Sequence, residues 1–260
     1  MDHASLYRVV DSAGQPSPWE QTVMIESVSR ELQRYKDHFE EMVQERVLEI
    51  ADTLWGTVSS LVHLAETQDE AARGHLRRLS DSCRVVASVL TFSSVYSEQL
   101  NYEFIYQLQQ ACLLHDIGKV GIPDTILLKP GKLTREEFDE MKKHTTIGAE
   151  TLRQAYPRFQ NNGILKMAID IARSHHERWD AKGYPDGLKG DDIPLSAQIV
   201  AICDVYDALR SVRPYKPAFT HLESMLEIRR ECGTHFNPAV CDAFSHCEEE
   251  IRHIYDINSK

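Results

Sequence analysis

No stretch of this chain is long and apolar enough to cross a membrane. A spanning helix needs roughly 20 consecutive apolar residues, and none occurs; nor does the N-terminus show the charged-then-apolar pattern of a leader. Neither export nor membrane insertion is expected, and the protein reads as cytoplasmic. A surplus of positive charge is also missing. Lysine and arginine number 29 against 40 aspartates and glutamates, for a net charge of −11, which argues against nonspecific binding of DNA. Cysteine is present without pairing: Cys83, Cys112, Cys203, Cys232, Cys241 and Cys247 include no CxxC. His246 beside Cys241 and Cys247 fits no familiar zinc-ligand spacing, so the thiols read as core or surface groups. Alternating strand patterns are scarce, which leaves an all-α fold.

What is present is helical punctuation. Residues 1–16 are polar and aperiodic and are expected to be loose. Ser17-Pro18-Trp19-Glu20 then combines an N-cap serine, proline at the first helical position and glutamate at the third. A long helix is expected over 17–63. Val28, Leu32, Tyr35, Phe39 and Met42 recur in steps of four and three, and after a one-residue slip Val43, Val47, Ile50, Leu54 and Leu61 continue the stripe. Heptad steps with charged flanks favour a parallel homodimer; packing on the protein's own core remains the other reading. Farther on, Thr134 with Glu137 and Thr220 with Glu223 form capping-box patterns, Asn237-Pro238 opens a helix and Gly233 ends one. Residues 64–256 are read as one helical domain.

Seven residues spread over 130 positions then stand out: His75, His115, Asp116, His144, His175, His176 and Asp204. The apolar run ACLL ends in the adjacent pair His115-Asp116, followed by Gly118 and Lys119. Neighbours on a helix point about 100° apart, so the pair can serve one ion only near a helix end, where Gly118 would let the chain turn. An isolated His-Asp pair would more simply be a buried ion pair, but this one is not isolated. Downstream, SHHERWDAKGYPDGL supplies His175 and His176, and IVAICDVYDAL embeds Asp204 and Asp207 in an apolar helix, where buried carboxylates need partners.

In their order and spacing, HDIGK, KPGKLT, MKKHTTIGAE, HHERWDAKGYPDGL, IPLSAQIVAICDVYDAL, SVRPYK and GTHFNPAV make the chain, over about residues 64–244, resemble an HD-GYP domain. That is a branch of the HD phosphohydrolase superfamily that typically hydrolyses cyclic di-GMP. Two departures are visible: Ala181 where the family usually has Gly, and Asn237 where Asp is commoner. The resemblance implies helices around two divalent metal ions, iron first and manganese next. One ion would be held by His75, His115, Asp116 and Asp204, the other by Asp116, His144, His175 and His176, with Asp116 as the bridge. Some members hold a third ion through a Glu one turn before the first His. That position is Ala71 here, and Glu66, Asp69 and Glu70 miss the required offset, so two ions are expected.

The implied reaction is metal-dependent phosphodiester hydrolysis of cyclic di-GMP to pGpG, with or without a further step to GMP, by activated hydroxide attacking phosphorus in line. Asp116 and Lys119 carry the catalytic roles. Lys119 would stabilise phosphoryl charge, its plainer role being a helix C-terminal cation. Arg213 and Lys216 match the family's RPY(R/K) element and would grip phosphate, or else form a basic surface turn. Tyr184 packs on a base or on its own loop. Glu177, Asp180 and Asp207 are expected either behind the ligands, where they could orient imidazole N–H groups, or in structural roles. The helical segment RELQRYKDHFEEMVQERVLEI also looks like the linker that joins receiver domains to HD-GYP domains. No receiver precedes it, so control by a signalling-protein partner, or descent from a longer ancestor, is expected. Two other readings stay open: a catalytically weak cyclic-dinucleotide sensor, and an HD hydrolase of another cyclic dinucleotide.

Overall fold

The computed structural model describes residues 18–66, 74–93, 95–158, 161–211 and 218–257. Among these the fold is all-α, with isolated bridges but no strand. The expected loose segment 1–16 and Ser17 lie outside the described residues, as do Asp69, Glu70, Ala71, Arg213 and Lys216. So do the side chains of Val47, Ile50, Leu54, Leu61 and Glu66. The chain divides into two compact units between Thr57 and Val58.

Helix α1 runs Pro18–Glu66. Its first unit carries the heptad side chains outward: Val28, Leu32, Tyr35, Phe39, Met42 and Val43 are all exposed.

In the second unit, α2 (His75–Leu90) buries Arg78, Leu79, Ser82, Cys83, Val86, Ala87 and Leu90, the i, i+3, i+4, i+7 pattern of one helix face. That face meets α3 (Tyr102–Ala111), α8 (Leu195–Arg210), α10 (Pro238–His246) and α11 (Glu248–Ile257). Helix α8 is the centre of the domain. Leu195 through Cys203 are all buried, as are Tyr206 and Asp207, and a helix that is apolar nearly all round has to sit inside. Each fully buried Leu, Ile or Phe there contributes roughly 1.5–3 kcal/mol. Helix α7 (Gly163–Ser174) packs between α3, α6 (His144–Ala155) and α8.

The local signals act as their chemistry requires. Thr134 caps α5 (Arg135–Met141) and Thr220 caps α9 (His221–Arg230), each in a reciprocal box with the glutamate at the third position. Asn237 caps α10 by accepting from the Ala239 N–H at 2.8 Å. Its Nδ2 also donates to Tyr96 Oη at 2.7 Å and Gln198 Oε1 at 2.6 Å. A carboxylate has no such donors, so this buried network uses what distinguishes Asn from Asp.

Ala181 has φ 65°, the left-handed region that penalises a Cβ by about 1–2 kcal/mol. Ala181→Gly should relieve that strain against a smaller entropic loss in the unfolded chain. The expected gain is about 0.5–1 kcal/mol, read as a higher urea midpoint at unchanged slope. A lower midpoint would contradict it.

Candidate metal centre

Most of the seven residues sit at helix ends that converge on α8. His75 opens α2, and His144 opens α6. His175 and His176 directly follow α7, and Asp204 projects from within α8. The α-helix leading to His115 stops at Ala111; a 3-10 turn over Cys112–Leu114 carries the chain on, and a second, Ile117–Gly121, follows Asp116. The pair therefore occupies a junction of two tight turns, not an α-helix terminus. Gly118 is needed for a different reason than turning. A Cβ built on it would lie 1.9 Å from the His144 carbonyl oxygen and 2.5 Å from the Gly148 nitrogen, so the second 3-10 turn rests directly on the backbone of α6.

Two clusters result. One ligand atom from each of Asp116, His144, His175 and His176 lies within 4.8 Å of the others, and the same holds for His75, His115 and Asp204. Asp116 stands between them. Its Oδ1 is 3.3 Å from His144 Nε2 and 3.7 Å from His175 Nε2, whereas its Oδ2 is 3.2 Å from His115 Nε2. Each oxygen thus faces a different set of imidazoles.

The ring nitrogens are poised by hydrogen bonds on their far sides. His115 Nδ1 donates to the Cys112 carbonyl at 2.9 Å, His144 Nδ1 to Met141 at 2.8 Å and His175 Nδ1 to Ile171 at 3.0 Å. Each bond turns Nε2 inward, and in the neutral rings of His144 and His175 it fixes the tautomer that leaves the Nε2 lone pair free. His115 Nε2, His144 Nε2, His175 Nε2 and Asp116 Oδ1 are buried without a hydrogen-bond partner. Four such atoms facing one space are costly in a neutral interior. Divalent cations would satisfy all of them, so these residues fit the metals that the donor set suggests.

Electrostatics separates the imidazoles. Burial lowers His175 to about 4 with help from its histidine neighbours, and lowers His144 and His176 as well. These rings remain neutral donors at neutral pH. His115 goes the other way: burial alone would lower it, but the charge of Asp116 outweighs that and raises it to about 10. Asp116 itself is held well below the usual carboxylate range, the pull of Lys119 and His115 overcoming its burial. Metal binding would have to displace the proton from His115.

The supporting residues divide. Asp207 accepts from His75 Nδ1 at 2.8 Å and from Arg78 Nε at 2.7 Å, which orients the imidazole. Glu177 does something else. Its carboxylate accepts from the backbone N–H groups of Asp186 at 2.7 Å, Gly187 at 3.1 Å and Leu188 at 3.0 Å. It clamps the loop after Tyr184 and orients no imidazole. Asp180 likewise pairs with Arg178 at 3.1 Å. Tyr184 stacks on His176, ring centroids 4.8 Å apart at 28°. Lys119 Nζ lies 2.5 Å from Asp116 Oδ2.

Asp207→Asn tests the support of His75. It should weaken metal retention by about 10- to 100-fold, the usual effect of losing a carboxylate behind a ligating histidine. Titration of the apo-protein with Mn²⁺ would read this, and unchanged affinity would rule out the orienting role.

A helical domain that gathers two histidine-aspartate clusters on either side of one carboxylate has the donor set of a centre for divalent metal ions. Sequence comparison places it more closely. A family model described as "HD domain" matches residues 59–240, and the chain belongs to the HD domain family, in its HD-GYP branch. It is 45% identical over 203 residues to a cyclic di-GMP phosphodiesterase of Vibrio cholerae serotype O1, covering 78% of this chain and 41% of that protein. It is 41% identical over 216 residues to a cyclic di-GMP phosphodiesterase of Thermotoga maritima, covering 83% and 55%. A 3'3'-cGAMP-specific phosphodiesterase 2 of Vibrio cholerae is 34% identical over 206 residues, with 79% and 37% covered. The chain spans about half or less of the length of these relatives.

Proposed function

We propose that this protein is a metal-dependent phosphodiesterase that opens cyclic di-GMP to pGpG, with or without a further step to GMP. The observation that carries the reading is the carboxylate of Asp116, whose two oxygens face separate imidazole clusters. His75, His115, Asp116 and Asp204 would hold one divalent ion and Asp116, His144, His175 and His176 the other, with iron first and manganese next. No thiolate or all-oxygen set narrows that choice. When bound, the ions supply Lewis acidity and an activated water for in-line displacement at phosphorus.

The chain's own residues do the rest. Lys119, part-exposed beside Asp116, would neutralise charge on a phosphoryl oxygen. Glu177 fixes the loop that holds Tyr184 against His176. Arg213 and Lys216, outside the described residues, are assigned to the second phosphate. The 17–63 helix is assigned to a parallel homodimer and the 64–256 segment to catalysis. Exposure of Val28, Leu32, Tyr35 and Phe39 supports that dimer, and a signalling protein is the proposed controlling partner. A cytoplasmic setting fits the substrate; among the described residues no helix is long and apolar enough to cross a membrane.

A second reading, hydrolysis of a mixed guanine-adenine cyclic dinucleotide, is favoured by the 3'3'-cGAMP-specific relative. Chromatography of products from both substrates, using anaerobically iron- or manganese-loaded protein with elemental analysis of the same sample, decides between them. Metal-dependent pGpG or GMP is expected. Bound metal with neither substrate cleaved would overturn the phosphodiesterase assignment in favour of a sensor.

A further inference from the structure

Phe138 is an aromatic side chain left half in solvent, 48% exposed, on the short helix α5. Scattered exposed apolar residues are ordinary, but the surroundings of this one are not. Its ring stands edge-to-face to Tyr184, centroids 6.3 Å apart at 81°, and Tyr184 in turn stacks on His176 of the metal cluster. The Lys142 ammonium lies 5.3 Å from the Phe138 centroid and 5.8 Å from that of Tyr184. Asp139 anchors Lys142 at 2.5 Å. The helix is itself pinned: Lys129 Nζ bonds both Glu137 oxygens at 2.8 and 2.6 Å, and the same glutamate closes the capping box with Thr134. A continuous aromatic path therefore leads from the metal cluster to a held, part-exposed ring with a cation over it.

Resting on the phosphodiesterase reading, we propose that Phe138, Tyr184 and Lys142 form the subsite for a purine base of the substrate whose phosphate lies at the metal cluster. Aromatic faces stack on any base, and a lysine ammonium donates to the O6 and N7 acceptors of guanine. Phe138 supplies affinity, and Lys142 supplies preference for guanine over adenine, which offers an N6 donor where guanine has O6.

Alanine substitution at a base-stacking aromatic weakens binding by about 5- to 150-fold. Phe138→Ala should therefore raise the KM for cyclic di-GMP within that range, with a smaller change in kcat, while metal content stays as in the wild type. Phe138→Trp should retain affinity. Phe138→Leu, which keeps apolar cover but removes the ring, should behave like Ala. Lys142→Met should lose more affinity for GMP than for AMP.

A readout independent of hydrolysis is quenching of 2-aminopurine riboside 5'-monophosphate fluorescence on binding metal-loaded protein. Wild type and Phe138→Trp should quench, and the Ala and Leu variants should not. Equal quenching by wild type and Phe138→Ala, or wild-type affinity in Phe138→Leu, would overturn the subsite. If wild type binds and quenches but cleaves no cyclic dinucleotide, the phosphodiesterase reading fails while the subsite stands. Cleavage that Phe138→Ala leaves unaltered fails the subsite alone.

Discussion

Asp116→Asn should lower turnover of cyclic di-GMP by more than about a hundredfold and leave the protein with fewer than two metal ions per chain. Even loss of a group behind a metal ligand reduces affinity or activity by about 10- to 100-fold, and Asp116 faces both clusters directly. An amide keeps the shape but carries one oxygen and one NH2. Whichever cluster receives the NH2 is presented with a donor where a cation should sit, and the negative charge between the ions is gone. A structural signature accompanies the loss. In metal-free protein the Asp116 charge is what raises His115 to about 10 against its burial, so the His115 titration, followed by NMR, should move sharply downward in the variant. Two metals per chain and wild-type product formation would defeat the bridging role; an unmoved His115 would defeat its electrostatic basis.

The contrast between Asp116 and Glu177 shows how far sequence carries this site. HDIGK, the adjacent histidines and Asp204 could be assembled because each motif has a family position, and the structure brings those seven residues together although His75 and Asp204 are 129 positions apart. Helix starts were legible for a local reason: Thr134 with Glu137 and Thr220 with Glu223 complete their hydrogen bonds within one turn. Glu177 had no such local signature. An acid following two histidines suggests an imidazole partner, yet its acceptors are filled by N–H groups nine to eleven residues downstream. The Pro185-Asp186-Gly187 turn was the available hint, since a tight turn leaves backbone donors that need an acceptor. Asp207 lies one helical turn beyond Asp204, so its proximity to the ligands could be read from spacing; its pairing with Arg78 could not. Phe138 gave no sequence signal at all, because its meaning depends on Tyr184, 46 positions away, arriving beside it.

Gly118 is the position where fold and chemistry are hardest to separate, and Gly118→Ala should destabilise the domain by about 3 kcal/mol or more. Overpacking a core usually costs about 1–3 kcal/mol because side chains can give way. Here the obstacles are backbone atoms, the His144 carbonyl at 1.9 Å and the Gly148 nitrogen at 2.5 Å. Relief therefore requires the 3-10 turn carrying Lys119 to move off α6. Asp116 lies just before that turn and His144 at the head of α6, so the movement also opens the 3.3 Å approach between Asp116 Oδ1 and His144 Nε2. The variant should show a lower urea midpoint together with loss of metal from the Asp116, His144, His175 and His176 cluster. Gly121 provides the control. A Cβ there meets the movable Ile147 side chain at 2.9 Å instead of backbone, so Gly121→Ala should be the milder change in both measurements. Equal stability losses at the two glycines would show that α6 can shift as readily as a side chain, and the rigid contact between the turn and α6 would no longer explain why Gly118 is required.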